Sequence, residues 1–280
     1  MKIAYLLQVR DDIQQAGHTI EALATYDDVY VSFSNEKTKE KLKVIFNHNP
    51  NVHFTNENYL TIHGDLSRTR TWLLQLVQAI EKQTYLAYIN VDEFSLPITT
   101  HDKLMNYINE NPNTDFIETI SEENVSGLRV LMENYTIATN DIRFETNEKF
   151  RNRYIKLGYF LRKLNLKKNT IPFKLYQGPC WFVLCHSTAQ KIVENMYECS
   201  ENFCHSAYSE EVYFGSIIQK YSTNVINKCL TYLSPKFTHA QDSSIVAKTD
   251  FENINEDHYF VNKANREDYP ELYDMYIKQY

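Results

Sequence analysis

Apolar residues along the first 120 positions recur in two rhythms that take turns. Short apolar runs, "KIAYLLQV", "DVYVSFS", "VHFT", "YLAYINV" and "DFIET", read as strands. Between them, residues 12–25, 36–47, 66–83 and 100–111 carry apolar positions at helical spacing. Strand and helix in alternation predict βαβ units and a mostly parallel sheet, whose ligands sit beyond the carboxyl ends of the strands.

The rhythm breaks at about residue 120. Residues 121–174 are more polar: "NVSGLRVLMENYTI" is expected to form a strand pair, and "KFRNRYIKLGYFLRKLNLKKN" is a basic amphipathic segment. Beyond it, "LYQGPCWFVLCHSTAQKIV" reads as a strand entered through Gly178 and Pro179 and followed by a helix, and "SEEVYFGSIIQKY" as a second helix. A loop-rich tail ends the sequence. No repeat or Gly/Ser linker divides it, so residues 1–280 are expected to form one domain: a nucleotide-binding half over 1–120, an insertion over 121–174, and an acceptor and catalytic half with its tail over 175–280.

Composition narrows the function classes. A hydrophobic content of 43% over 280 residues supports a full core. The net charge of −7 argues against nonspecific nucleic-acid binding, although residues 149–174 are locally basic and offer a contact for an anionic acceptor or a membrane surface, or else a solvated helix face. Five cysteines without a CxxC pair read as reduced thiols. No window is long and apolar enough to cross a membrane, and "MKIAYLLQVRDD" is charged too early for a signal peptide; the expected setting is the cytoplasm, free or at the inner face of the cell membrane. The 21 tyrosines offer rings for core filling or for stacking on sugars.

The motifs for phosphate cradles, hydrolase elbows and zinc proteases are missing, as is any Asp-x-Asp pair of the kind that holds a divalent cation on a nucleotide-sugar diphosphate. Among the adjacent carboxylate pairs, two stand where chemistry is expected, at a strand end and at a helix start. Asp92 and Glu93 follow an apolar strand, as solvated loop residues or as ligands. Glu210 and Glu211 open a helix, either as favourable charges behind a Ser209 cap or with one of them lifted into a cleft as a general base.

Taken in order, "YLTIHGDLSRTRTWLLQLVQAI", "YLAYINVDEFSLPITTHDKLMNYI", "LYQGPCWFVLCHSTAQKIV", "YSEEVYFGSIIQ" and "YFVNKANRED" resemble the core-2/I-branching β-1,6-N-acetylglucosaminyltransferase family, which also contains the peptide O-xylosyltransferases. Gly64 and Ser67 keep their places in the family's Trp-Gly-x-x-Ser element, where His63 replaces the tryptophan. Asn90 to Pro97 match the Ser-Gly-x-Asp-x-Pro-Leu type element without its glycine; Gly178-Pro179 replaces Gly-Ser; Ser209-Glu210-Glu211 replaces Pro-Asp-Glu and retains the essential glutamate as Glu211.

The resemblance implies a GT-A-like, Rossmann-like α/β fold with a mostly parallel central sheet. It also implies inverting transfer from a UDP-sugar, N-acetylglucosamine before xylose or another hexose, to a hydroxyl of a glycan or glycolipid. The branching members work without a metal, so no cofactor is expected. Glu211 is then the base, Lys263 and Lys248 the cations on the donor diphosphate, and Trp181, Gln177, Asp92, Glu93 and Glu210 contacts for donor or acceptor sugar. Trp181 as plain core is the competing reading. Bacterial surface polysaccharide or oligosaccharide synthesis is the expected setting. The alternatives are a metal-dependent transferase using Asp92 and Glu93, and a catalytically inactive glycan-binding protein on the same fold.

Overall fold

The computed structural model describes residues 1–10, 12–56, 61–166, 170–233, 254, 256–262, 264, 266–267 and 270–280. Lys248 and Lys263, expected on the diphosphate, lie outside the described residues.

In chain order the elements are β1 (Ile3–Val9), α1 (Ile13–Leu23), β2 (Asp28–Phe33), α2 (Glu36–Phe46), β3 (Val52–Phe54), α3 (Ser67–Lys82), β4 (Ala87–Asp92), β5 (Leu96–Pro97), α4 (His101–Glu110), β6 (Asp115–Ile117) and β7 (Ile120–Ser121). After a 3-10 turn come α5 (Leu128–Glu133), α6 (Ile142–Thr146), α7 (Glu148–Lys163), β8 (Tyr176–Gln177), β9 (Phe182–Leu184), α8 (His186–Glu194), α9 (Met196–Phe203), α10 (Glu210–Tyr221), β10 (Val225–Ile226), β11 (Thr231–Tyr232), β12 (Phe260–Val261) and α11 (Pro270–Gln279).

The central sheet has seven strands in the order β10-β6-β9-β4-β1-β2-β3. β1, β2, β3 and β4 run parallel, as do β6 and β10, while β9 lies antiparallel between β4 and β6. This is the expected GT-A-like α/β architecture, with one interior strand of reversed direction. The strand signature of β1 explains the layering, because all seven of its residues are buried. Ala4 and Leu6 join a cluster with Trp72, Leu76, Phe182, Phe214 and Ile217, whereas Ile3, Tyr5, Leu7 and Val9 join one with Ile20, Leu23, Leu42 and Leu104. A strand alternates its side chains between faces, so a continuous apolar run needs helices on both.

Two sequence expectations change. The segment expected as a strand pair contains α5 instead: Leu128 and Met132, one turn apart, both enter the core, and Arg129 pairs with Glu122 at 2.7 Å and with Glu133 at 3.4 Å. The tail carries α11, whose Tyr273 is buried against the small sheet β11-β12-β5. Among the described residues no helix is long and apolar enough to cross a membrane.

Candidate active site

The loops that precede α3 and α10 meet. The first precedes α3. There the Ser67 hydroxyl accepts from the Ile62 N–H at 2.7 Å, and the Ser67 N–H donates to Asp65 at 2.6 Å, which folds the chain back on itself. Gly64 makes the turn at φ 93°, a left-handed conformation that favours glycine. The second loop precedes α10 and holds Tyr208 at φ 59°, a costly conformation for a bulky residue, with its N–H bonded to the Gly64 carbonyl at 2.8 Å.

These loops give the two adjacent glutamates opposite fates. Glu210 is 1% exposed, and its Oε1 accepts from His63 Nδ1 and, at 3.2 Å, from the Gly64 N–H. Burial raises its pKa, but the hydrogen bond and charge of His63 and the charge of Arg68 outweigh it and hold the carboxyl below its ordinary range. For His63, burial disfavours the cation, yet the hydrogen bond and charge of Glu210 win and raise its pKa. Each group thus favours the charged form of the other across this buried contact. Glu210, expected as a sugar contact, is placed inside the protein, with its Oε1 engaged by His63 and Gly64. Ser209 makes no capping bond with its side chain, so the cap expected there is not formed.

Glu211 is only partly buried. It is one of the residues that line a cavity of about 510 Å³, with His63, Arg151, Gln177, Tyr208 and Val212, a volume within the roughly 300–1,000 Å³ of small-molecule sites. Gln177 Nε2 donates to Glu211 Oε2 at 3.0 Å, so two of the expected site residues meet. Their approach is fixed by the backbone, where the Gly178 N–H donates to the Glu211 carbonyl at 3.0 Å. It also depends on two glycines. A Cβ on Gly178 would lie 2.1 Å from the Glu118 carbonyl oxygen, and one on Gly215 2.8 Å from that of Tyr176. Gly178→Ala is therefore expected to destabilise the protein by roughly 3 kcal/mol, the upper end of overpacking costs. Urea unfolding checks this, and an unchanged midpoint would contradict it.

Trp181 is buried rather than displayed. It packs edge-on against Trp72 with ring centroids 6.3 Å apart, and the Arg68 guanidinium lies 5.6 Å over its ring. It is a core residue that supports Arg68.

Asp92 and Glu93 sit at the carboxyl end of β4. Asp92 Oδ1 accepts from the Phe94 N–H at 3.1 Å, Ser95 Oγ at 3.0 Å and Asn262 Nδ2 at 2.8 Å, and its Oδ2 lies 3.8 Å from Arg68. Glu93 is buried and accepts from the Arg10 N–H at 3.1 Å. Both carboxylates thus have partners within the protein, from the loop and from Asn262, Arg68 and Arg10. Among the described residues no three His, Cys, Asp or Glu side chains gather in a metal-binding arrangement.

Sequence reasoning missed Arg68, Arg10 and Tyr208, and noted His63 only as a replacement. Arg68 has a 26% exposed side chain at the ends of β1 and β4, braced by Gln8 at 3.1 Å. Arg10 bridges Glu93 to Glu145 at 2.9 Å, and Glu145 in turn accepts from the His63 N–H at 3.1 Å. A polar chain thus runs from the strand ends to the cavity. Arg10 directly after an apolar strand, and Arg68 after the Gly64 and Ser67 element, were the available signals.

No curated protein matches the sequence. The sequence model for Core-2/I-Branching enzymes matches residues 3–255. That span takes in β1, the Gly64 and Ser67 loop, the end of β4, the Gln177 strand and the helix of Glu211, so the chain belongs to the core-2/I-branching enzyme family of glycosyltransferases.

Proposed function

We propose that the protein is an inverting, metal-independent transferase that moves N-acetylglucosamine from UDP to a hydroxyl of a glycan or glycolipid. Glu211 is its base. The observation that carries this reading is the Glu211 carboxylate, held by Gln177 on the wall of a cavity of monosaccharide scale. The carboxylate takes the proton of the acceptor hydroxyl as its oxygen bonds to the sugar's anomeric carbon, and the bond to UDP breaks on the opposite face. Negative charge then builds on the leaving diphosphate and needs nearby cations. Arg68, at the strand ends, suits that role, with Lys248 and Lys263 as the further candidates of the family pattern. The proposed setting is cytoplasmic synthesis of a surface polysaccharide or oligosaccharide.

The engaged state of Asp92 and Glu93 favours this reading over a metal-dependent one. UDP-N-acetylglucosamine is expected to raise the melting temperature as much in EDTA as in manganese. At a hundredfold excess over its dissociation constant the gain is about 2.7 kcal/mol, on the order of 5 °C. Stabilisation that appears only with the cation would promote Asp92 and Glu93 to ligands. Binding without any turnover, across a panel of acceptors, would favour the glycan-binding alternative.

A further inference from the structure

The helix α7 has two unlike faces. Its inner face is fixed: Arg151 is buried and donates to the Phe144 carbonyl at 3.1 Å, Arg162 reaches Glu133 at 3.8 Å, and Gly158 lets the helix approach the Tyr135 carbonyl, which a Cβ would meet at 3.1 Å. At about 100° per residue, Lys149, Arg153, Lys156, Phe160 and Lys163 fall within an arc of roughly 80° on the opposite side, with Tyr159 on its flank. All of these residues are exposed. Phe160 is 55% exposed, and just past the helix Leu164 and Leu166 are 55% and 59% exposed.

We infer that this face of α7 docks on an anionic lipid bilayer surface. The argument is charge complementarity joined to apolar anchors. The protein carries a net charge of −7 and as a whole is repelled by anionic lipid, yet the outer face of α7 presents four cations and no carboxylate. Cations with an aromatic ring and leucines among them match an interfacial helix, whose rings sink to headgroup depth while lysine and arginine reach phosphates. The contrast with α2 is informative. That helix also exposes Val44 and Ile45, but Glu36 and Glu40 are interleaved there with Lys37 and Lys41, so its face has no net sign. Docking through α7 also has a geometric outcome, because Glu148, Arg151 and Asn152 of the same helix line the cavity that holds Glu211. Docking there would hold the helix that lines this cavity at the bilayer surface, a consequence that rests on the proposed transfer to a glycolipid.

The test is co-sedimentation of the full chain with phosphatidylglycerol-rich vesicles and with pure phosphatidylcholine vesicles. Binding is expected to the first only, weakening as salt is raised. Removing two charges in Lys156→Gln/Lys163→Gln is expected to weaken it roughly 25-fold, about fivefold per cation at the surface. Phe160→Ser is expected to weaken it as well, and Lys37→Gln/Lys41→Gln to leave it unchanged. All three variants alter exposed side chains and should melt like the wild type. Absence of binding at low salt, equal loss in the α2 control, or undiminished binding by the α7 variants would overturn the inference. So would full displacement from vesicles by a soluble anionic glycan, which would make the face an acceptor site. Because the readout needs no sugar transfer, its failure is distinct from failure of the Glu211 assignment.

Discussion

Glu211→Gln is expected to cut the turnover of sugar transfer by about a hundredfold to ten-thousandfold, the usual contribution of a positioned general base. An amide has the shape of the carboxylate and can still accept from Gln177 Nε2, so the wall of the cavity should keep its form. What it lacks is a lone pair basic enough to take a hydroxyl proton at neutral pH. Donor affinity should change little, because the cations proposed for the diphosphate, Arg68, Lys248 and Lys263, are untouched. The loss therefore belongs in turnover rather than in UDP binding. If Glu211 instead served only as a negative charge in the first turn of α10, the same substitution would cost roughly 0.3–1 kcal/mol of stability and leave the chemistry intact. Measuring transfer, UDP affinity and melting temperature on one preparation separates the two outcomes. A variant with near-normal turnover would remove Glu211 from the mechanism.

Glu210→Ala is expected to act through the fold, with a loss of about 3–5 kcal/mol. Removing one partner of a buried ion pair leaves the other uncompensated, and the Gly64 N–H loses its acceptor as well. The double variant with His63→Ala should cost less than the sum of the singles, and a cycle of the four proteins in urea gives the coupling directly. The pair also predicts a pH profile. Glu210 has a lowered pKa when folded, so its contribution is present above the ordinary value of 4.5 and is lost as pH falls through the folded value. His63 has a raised one, so its contribution is present below the ordinary value of 6.5 and is lost as pH rises through the folded value. The stabilisation is complete between those two ordinary values and falls away on either side. The double variant should lack this dome, and a wild-type profile that persists in it would show that the dome arises elsewhere.

The two glutamates also show the limit of reading the chain alone. Adjacent in sequence and both in the first turn of a helix, they differ only in what the fold brings up to them. His63 arrives from about 150 positions away to claim the first, and Gln177 from a short strand to meet the second. Local rhythm carried the strands and helices of the first half, because buried parallel strands need unbroken apolar runs and their covering helices need one apolar stripe. It failed at α5, where the apolar residues Val125, Leu128, Val130 and Met132 satisfy both periods and the decision came from Arg129 and its two glutamate partners. The composition of "WFVLC" could not give the direction of β9 or its place between β4 and β6, since a short apolar run carries no sign of which neighbours it will pair with.

That placement bears on how the chain comes to be folded during synthesis. β1, β2, β3 and β4 can assemble as soon as they have left the ribosome, but the next strand in the sheet is β9, and β6, made long before it, has no partner on that side until residues 182–184 emerge. Until then the edge of β4 at Tyr88 and Ile89 stands open, an apolar strand with unpaired backbone groups, the kind of surface that captures a second nascent chain. Chains that terminate before Phe182 should therefore be released as fragments that aggregate, whereas chains that extend through β9 can join β4 to β6.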